Sequence, residues 1–247
     1  MARPGGRLAG KASEVEQAGA TPSAASFDLW ITPGDEPSPA RAAKHGAAAV
    51  VRRLTDLAAC LDVDALSPAQ LELLDGLTRR AETVADGLEA LPRLTEGLAA
   101  APGLDHRLSE RSGLSGLGNP LAPPLILELG EGRILGRAVY GAAYEGPPGC
   151  VHGGFVAAAF DDLLGAAQIL SGTAGPTGTL TVRMRRPTPL GVRIDYEAGL
   201  TGVEGRKITC WGTASHAGRL LAEADCLFIA PRPGAWPSFP RPADPAG

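Results

Sequence analysis

The chain has 247 residues, with 23 Lys and Arg against 27 Asp and Glu, a net charge of −4 with neutral histidines, and 44% hydrophobic residues. This length fits one large domain, or one ordinary domain with a smaller attachment. The slightly acidic balance excludes a global affinity for nucleic acid or for an anionic membrane surface as the basis of function.

The cysteines and the N-terminus indicate a cellular compartment. The four cysteines are far apart and form no C-x-x-C pair, and no apolar signal region follows Met1. Scattered thiols are typical of a reducing compartment. The longest central apolar run, Phe155 to Phe160, is far shorter than the roughly 20 residues that a membrane span needs. The sequence therefore predicts a cytoplasmic protein with no membrane or nucleic-acid partner.

Composition divides the chain into segments. Residues 1–37 are rich in Ala, Gly, Pro and Ser without periodicity, and residues 231–247 contain six prolines. Both segments are predicted to be disordered. The apolar patch Phe27 to Ile31 is the one place in the first segment that could dock onto the rest of the chain. Between them we predict a helical hairpin over residues 38–100 and a separate domain over residues 118–230.

The hairpin carries apolar residues at helical spacing. Ser38 and Ser67 each stand as an N-cap before a proline, and Gln70 completes a capping box. Two such helices joined by a short break predict an αα-hairpin without catalytic residues. Its stripe is either a partner surface or a cover for the main domain, since an apolar stripe must be buried somewhere. The stripe consists of Val50, Val51, Leu54, Leu57, Leu61, Leu71, Leu74, Leu77, Ala81, Val84, Leu88 and Leu91.

The segment 118–230 combines strand patterns with one apolar helix. After a Gly/Ser-rich linker at 111–119, two short apolar runs around residues 130–132 predict a hairpin, and residues 155–170 have the composition of a helix. Four further strands show period-two alternation. A sheet buries one face, and the lone apolar helix is the element available to cover it. The order β-β-α-β-β-β-β predicts an α+β fold with a curved antiparallel sheet wrapped around one long helix.

Common catalytic and metal-binding signatures are absent. The sequence contains no G-x-S-x-G elbow, no H-E-x-x-H and no P-loop. The four histidines are scattered along the chain, without the spacing that metal ligands require. We therefore predict neither a metal nor a cofactor.

The remaining candidate chemistry lies on the predicted central helix. Gly153 and Gly154 follow His152 at its start, where free amides and the positive end of the helix dipole suit a polarised carbonyl or an oxyanion. Asp161 and Asp162 lie inside the apolar helix, where a carboxylate is unfavourable unless it is paired or faces a cleft. Asp161 shares the face of Gly154 but lies about 10 Å further along the axis. Either the two features are unrelated, or a second subunit supplies the missing half of a site.

Several separated motifs occur in the order found in a known family. Val151-His-Gly-Gly154 is followed by Asp161, by Thr177-x-x-Leu-Thr-Val-x-x-x-Arg-Pro-x-Pro-Leu190, by Val203-Glu-Gly-Arg-Lys207 and by Ala222-Glu-Ala. Over residues 118–230 the chain resembles the hotdog-fold acyl-CoA thioesterases of the HGG, phenylacetate-pathway type. The resemblance implies the hotdog fold and the hydrolysis of acyl-CoA to a free acid and CoA, with no cofactor.

The resemblance also implies roles for individual residues. The amides at the helix start, Gly153 and Gly154 beside His152, would hold the thioester carbonyl. Asp161 of the other subunit would be the general base or the nucleophile, and Thr177 would help to place the water. The residues implied to reach the CoA phosphates are Arg183, Arg185, Arg206 and Lys207. The implied assembly is a homodimer or a dimer of dimers with shared active sites.

Some alternatives stay open at this point. A non-catalytic acyl-CoA-binding module, acting as a sensor or an assembly subunit, would use the hairpin to bind partners, but it would need neither Asp161 nor Thr177. An enoyl-CoA hydratase needs a histidine on the helix beside the carboxylate, and none follows His152 there. His152 either contacts the substrate or only satisfies local backbone groups. Asp162 is outside the family pattern, and we expect it to be a solvated or interface charge.

Overall fold

The structure is a computed structural model that describes residues 31, 32, 34, 36–92 and 110–232. Three α-helices and six strands lie wholly within these ranges. The helices are α1 (Pro39–Ala59), α2 (Pro68–Glu89) and α3 (Gly153–Ala167). The strands are β1 (Ile126–Gly130), β2 (Arg133–Val139), β3 (Thr177–Met184), β4 (Arg193–Glu204), β5 (Lys207–His216) and β6 (Arg219–Ile229).

The six strands form one antiparallel sheet with α3 as its covering helix. The spatial order is β1-β2-β4-β5-β6-β3, so β3 lies at an edge beside β6. The chain order β-β-α-β-β-β-β and the α+β architecture are as predicted. The predictions for residues 1–30, 93–100 and 233–247 concern positions outside the described residues.

The core lies between α3 and the sheet face that meets it. Phe160, Leu163 and Leu164 of α3 have no exposed surface, and the Phe160 ring meets Tyr196 edge-on at 5.8 Å between centroids. Gly212 of β5 lets the helix approach closely, because an added Cβ would lie 3.2 Å from Leu164 Cδ2. By length and composition, α3 with its 3-10 extension to Ser171 could cross a membrane, but its buried residues show it acting as the core helix here.

Helix α1 meets the sheet domain through its polar side. The Arg52 guanidinium donates to the Asn119 carbonyl at 2.8 Å, and Asp56 accepts from the Ala143 amide at 3.0 Å. His45 pairs with Glu110 at 2.8 Å. The predicted apolar stripe does not cover the sheet domain, because Leu54 is 54% exposed and α2 has no buried residue. The described residues therefore leave the stripe without a partner in the chain.

The predicted disordered segment 1–37 contains two residues that contact the sheet. The Thr32 amide donates to the Leu127 carbonyl at 2.8 Å, and its Oγ1 accepts from the Leu127 amide at 3.0 Å. Ile31 packs against the hydrophobic core. Ile31 and Thr32 therefore depart from the disorder predicted for residues 1–37, because backbone pairing with β1 holds them in place.

Candidate active site

The N-terminus of α3 offers one available amide. His152 is the N-cap, and its Nδ1 accepts the Gly154 N–H at 3.0 Å. The Phe155 amide donates to the His152 carbonyl at 2.9 Å. Gly153 is the first helical residue, and its N–H has no hydrogen-bond partner among the described residues. In this structure the Gly153 amide is therefore the free one, while the Gly154 amide is held by the His152 imidazole. Substrate contacts by Gly154 and His152 stay predictions.

The space in front of Gly153 is open. A methyl group added at Gly153 would meet only Met184 Cε, at 3.7 Å, which is an ordinary van der Waals contact. The Phe155 ring stands edge-on to the His152 ring, with 6.4 Å between centroids, and to the Tyr144 ring at 4.9 Å. Gly153 is thus exposed at the start of α3, with the rings of His152, Phe155 and Tyr144 nearby.

Asp161 is exposed, and one of its carboxylate oxygens is held by a single neighbour. Thr177, the first residue of β3, donates from Oγ1 to Asp161 Oδ1 at 2.8 Å. In the described ranges, Oδ2 has no hydrogen-bond donor. The structure therefore brings together the two residues that the family motifs singled out, 16 positions apart in the sequence. An oriented carboxylate with one free oxygen can accept a proton or attack an electrophile.

Asp162 is a structural carboxylate. Ser112 and Ser115 donate their hydroxyls to Asp162 Oδ2 at 2.5 and 2.7 Å. Burial raises the pKa of Asp162, the charge of Asp161 raises it further, and the serine hydrogen bonds oppose both. The expectation of a solvated or interface charge was wrong, because the predicted linker 111–119 folds over this face of α3.

The raised pKa predicts a pH-dependent effect of Asp162→Asn on stability. The pKa of Asp162 is higher in the folded protein than in the unfolded chain. The contribution of Asp162 to the free energy of unfolding therefore falls as pH rises from the unfolded-state pKa through the folded-state pKa. Asparagine can still accept both serine hydroxyls without this charge. We expect the variant to gain stability relative to the wild type as pH rises above the ordinary carboxyl range, by at most about 1.4 kcal/mol per pH unit for one proton. Urea unfolding at a series of pH values measures the difference, and a pH-independent difference would contradict it.

The four predicted phosphate-binding residues have different surroundings. Arg183 pairs with Asp225 at 2.6 Å, and Arg185 pairs with Glu223, both across the β3–β6 ladder. Arg206 donates from Nε to the Ala230 carbonyl at 2.7 Å, and Lys207 is exposed. Arg183 and Arg185 therefore have acidic neighbours that a phosphate would have to displace, whereas Arg206 keeps its outer nitrogens on an exposed turn.

The sheet register separates the candidate residues into two groups. Thr177 pairs with Phe228, which pairs with Ile208, so Arg206 and Lys207 lie at the Asp161 end of the sheet. Met184, at the other end of β3, faces Gly153. The eight residues from Thr177 to Met184 are joined by seven steps, which span roughly 23 Å of strand. Within one copy, the free amide and the oriented carboxylate are therefore at opposite ends of β3.

Sequence reasoning missed the supporting residues around the carboxylates. Ser112 and Ser115 lie about 50 positions from Asp162, and a short Gly/Ser-rich stretch gives no signal of such a contact. Cys226 is buried beside Thr177, and burial, with the charge of Asp161, raises the pKa of its thiol to about 12. Burial likewise raises the pKa of Cys210, its cross-strand neighbour, to about 12. Thiols with such pKa values are poor nucleophiles at neutral pH.

The histidines in the described ranges have local partners. His152 caps α3, His45 pairs with Glu110, and His216 Nδ1 lies 2.8 Å from the Arg193 carbonyl oxygen. In the same part of the chain, no three His, Cys, Asp or Glu side chains cluster in a way that could hold a metal ion. His106 lies outside the described residues.

A solved structure with the same architecture decides the family. A crystal structure of a thioesterase superfamily protein is 30% identical in sequence, with 81% of this chain and 98% of that chain covered and a TM-score of 0.63. The chain belongs to the thioesterase superfamily. The superfamily's hotdog fold is thereby confirmed for the sheet and its central helix, and the HGG subtype stays a prediction.

Curated relatives are similar over a shorter stretch. Acyl-coenzyme A thioesterase THEM4 of Xenopus laevis is 37% identical over 91 residues, which are 36% of this chain and 41% of that protein. The Mus musculus protein of the same name is 34% identical over 101 residues, which are 40% of this chain and 44% of that protein. This chain thus spans about two-fifths of the length of these relatives. No family model matches it.

Proposed function

We propose that the protein hydrolyses acyl-CoA thioesters to a free acid and CoA. The observation that carries the proposal is the exposed Asp161 carboxylate, held at one oxygen by Thr177 and free at the other among the described residues. A buried structural acid is instead enclosed by its hydrogen-bond donors, as Asp162 is by two serines. Superfamily membership supports thioester chemistry, and the names of the curated relatives support CoA as the leaving group.

The proposed reaction uses one amide and one carboxylate. The Gly153 N–H donates to the thioester carbonyl oxygen and stabilises the charge that develops there, aided by the dipole of α3. Asp161 Oδ2 takes a proton from water, whose oxygen bonds to the carbonyl carbon, while Thr177 fixes Oδ1. The C–S bond then breaks, and the proton on Asp161 passes to the CoA thiolate. In the alternative route Oδ2 attacks the carbonyl carbon itself, the C–S bond breaks to release the CoA thiolate, and water hydrolyses the resulting anhydride to the free acid and the Asp161 carboxylate.

Both routes need two copies of the chain. Gly153 and Asp161 lie at opposite ends of β3, and β3 is an edge strand with an unpaired side in the described sheet. If two β3 strands pair antiparallel about a two-fold axis near their centres, Thr177 of one copy comes opposite Met184 of the other. The carboxylate of one copy then reaches the free amide of the second. We therefore propose a shared site in a homodimer, which can assemble further into a dimer of dimers.

A thiol-release assay tests the proposed activity. Purified protein is incubated with short-chain, long-chain and aryl acyl-CoA, and free CoA is measured with a thiol reagent. Release from at least one substrate, above the buffer rate and proportional to protein concentration, is the expected result. Tight acyl-CoA binding without release from any substrate would instead support the non-catalytic binding module.

The shared site predicts that Lys207 assists CoA binding. Lys207 and Arg206 lie at the Asp161 end of the sheet, and Lys207 is exposed. Charge-assisted contacts to phosphate are strong but are screened by salt. Lys207→Ala should raise KM for acyl-CoA more than KM for a pantetheine thioester that lacks the nucleotide, and the difference should shrink at high salt. Lys207→Arg is the control that keeps the charge, and equal effects of Lys207→Ala on both substrates would remove Lys207 from the nucleotide site.

A further inference from the structure

The two N-terminal helices each carry an apolar seam without a partner among the described residues. The α1 seam consists of Ala47, Val50, Leu54 and Leu57, and the α2 seam consists of Leu74, Leu77, Ala81, Val84 and Leu88. Along both helices the steps alternate between three and four residues, the spacing that packs helices side by side in a coiled coil. In both seams most of the large side chains are exposed, for example Val50 at 60% and Val84 at 61%.

The sheet domain cannot cover the α1 seam, because α1 presents its other side to it. Arg52 and Asp56 bind the loops around Asn119 and Ala143, which fixes the orientation of the helix. The two seams also do not cover each other, since Leu57 is 55% exposed and Leu77 is 47% exposed. Eleven large apolar side chains between Val50 and Leu91 are exposed. Together they expose on the order of 10³ Å², where a stable interface needs about 800 Å² from each partner.

The charges of α1 and α2 indicate which partner helix fits each seam. Helix α1 has four Lys and Arg against one Asp. Arg41, Arg52 and Asp56 contact the sheet domain, which leaves Lys44 and Arg53 as its other cations, whereas α2 has two Arg against five Asp and Glu, a net charge of −3. Two copies of the same helix would repel each other, whereas α1 and α2 attract. The acidic α2 is also unsuited to an anionic membrane surface, which selects basic amphipathic helices.

We propose that the hairpin binds the hairpin of another copy of this chain, with α1 of each copy packed antiparallel against α2 of the other. This reciprocal arrangement buries both seams, pairs opposite charges and closes about a two-fold axis. In a hairpin whose two helices packed on each other, α1 would pair with α2 of the same chain. Here the same pairing forms between two chains. The seams belong to the hairpin and include no residue of β3, so this interface is additional to the shared site and does not depend on the proposed function.

Two complementary variants test the pairing. In antiparallel packing with the two seams in register, Leu57 near the end of α1 faces Leu77 near the middle of α2 of the other copy. The reciprocal arrangement contains two equivalent contacts between Leu57 of one copy and Leu77 of the other. Leu57→Glu and Leu77→Lys each place a charge opposite a leucine in both contacts, so each variant should halve the mass measured by sedimentation velocity. In an equimolar mixture, each interface between unlike chains brings the two introduced, opposite charges together in one pair and leaves the other pair as two leucines. The mixture should therefore return to the wild-type mass.

Controls separate this result from misfolding and from loss of the shared site. Thr83→Glu adds a charge to the outer side of α2 and should leave the mass unchanged, and circular dichroism should show wild-type helix content for every variant. The halving is expected whether or not the protein hydrolyses thioesters. A wild type that is monomeric, single variants that keep the wild-type mass, or a mixture that stays at the mass of the single variants would each overturn the proposal.

Discussion

Asp161→Asn is expected to lower kcat for thioester hydrolysis by about 10²-fold or more, as is typical when a positioned base is lost. The amide cannot take a proton from water, and it cannot act as a carboxylate nucleophile. Its oxygen can still accept the hydrogen bond from the Thr177 hydroxyl, so the packing between α3 and β3 is kept. The measurement is steady-state thiol release, with thermal unfolding as the test that the fold is intact.

Asp162→Asn is the matched control for this prediction. The same chemical change, one residue later on the same helix, removes a carboxylate that is bonded to Ser112 and Ser115 and faces away from the open site. We expect its kcat to stay close to the wild-type value while its stability changes with pH. An inactive Asp162→Asn together with an active Asp161→Asn would reverse the assignment of the two carboxylates.

Two inactive variants are expected to restore activity when they share a dimer. Gly153→Pro removes the proposed carbonyl-binding N–H, and proline is tolerated at the first helical position. The preceding His152, with φ −59° and ψ 131°, already has a backbone conformation that precedes proline readily. When Gly153→Pro and Asp161→Asn chains are unfolded together and reassembled at random, half of the dimers are mixed. Each mixed dimer has one intact site, which predicts roughly a quarter of wild-type activity.

The control for Gly153→Pro keeps the amide and adds only a side chain. Gly153→Ala retains the N–H, and its methyl group has room beside Met184, so it should keep most of the activity. Mass spectrometry under native conditions shows whether mixed dimers formed. If they formed and activity stayed at the level of the single variants, the site would not be shared, and Asp161 would have to serve its own chain.

The sequence by itself determined the elements and their order. Period-two alternation predicted the strands after α3, the capping residues Ser38 and Ser67 predicted where α1 and α2 begin, and the apolar composition near Phe160 predicted the core helix. These signals are local, because a helix start or an alternating strand depends on residues a few positions apart. The family motifs also singled out Asp161 and Thr177 separately, but their hydrogen bond within one chain was not predicted.

Only the tertiary structure decided which partners hold the side chains and amides of neighbouring residues. Asp161 and Asp162 are chemically identical in the sequence, and they separate because α3 turns one toward Thr177 and the other toward Ser112 and Ser115. Likewise, the His152 imidazole accepts from the Gly154 amide and leaves the Gly153 amide as the free one of the two. The outward direction of the α1 seam follows from polar contacts with loops that are distant in sequence. Such contacts join residues tens of positions apart, so no local pattern encodes them.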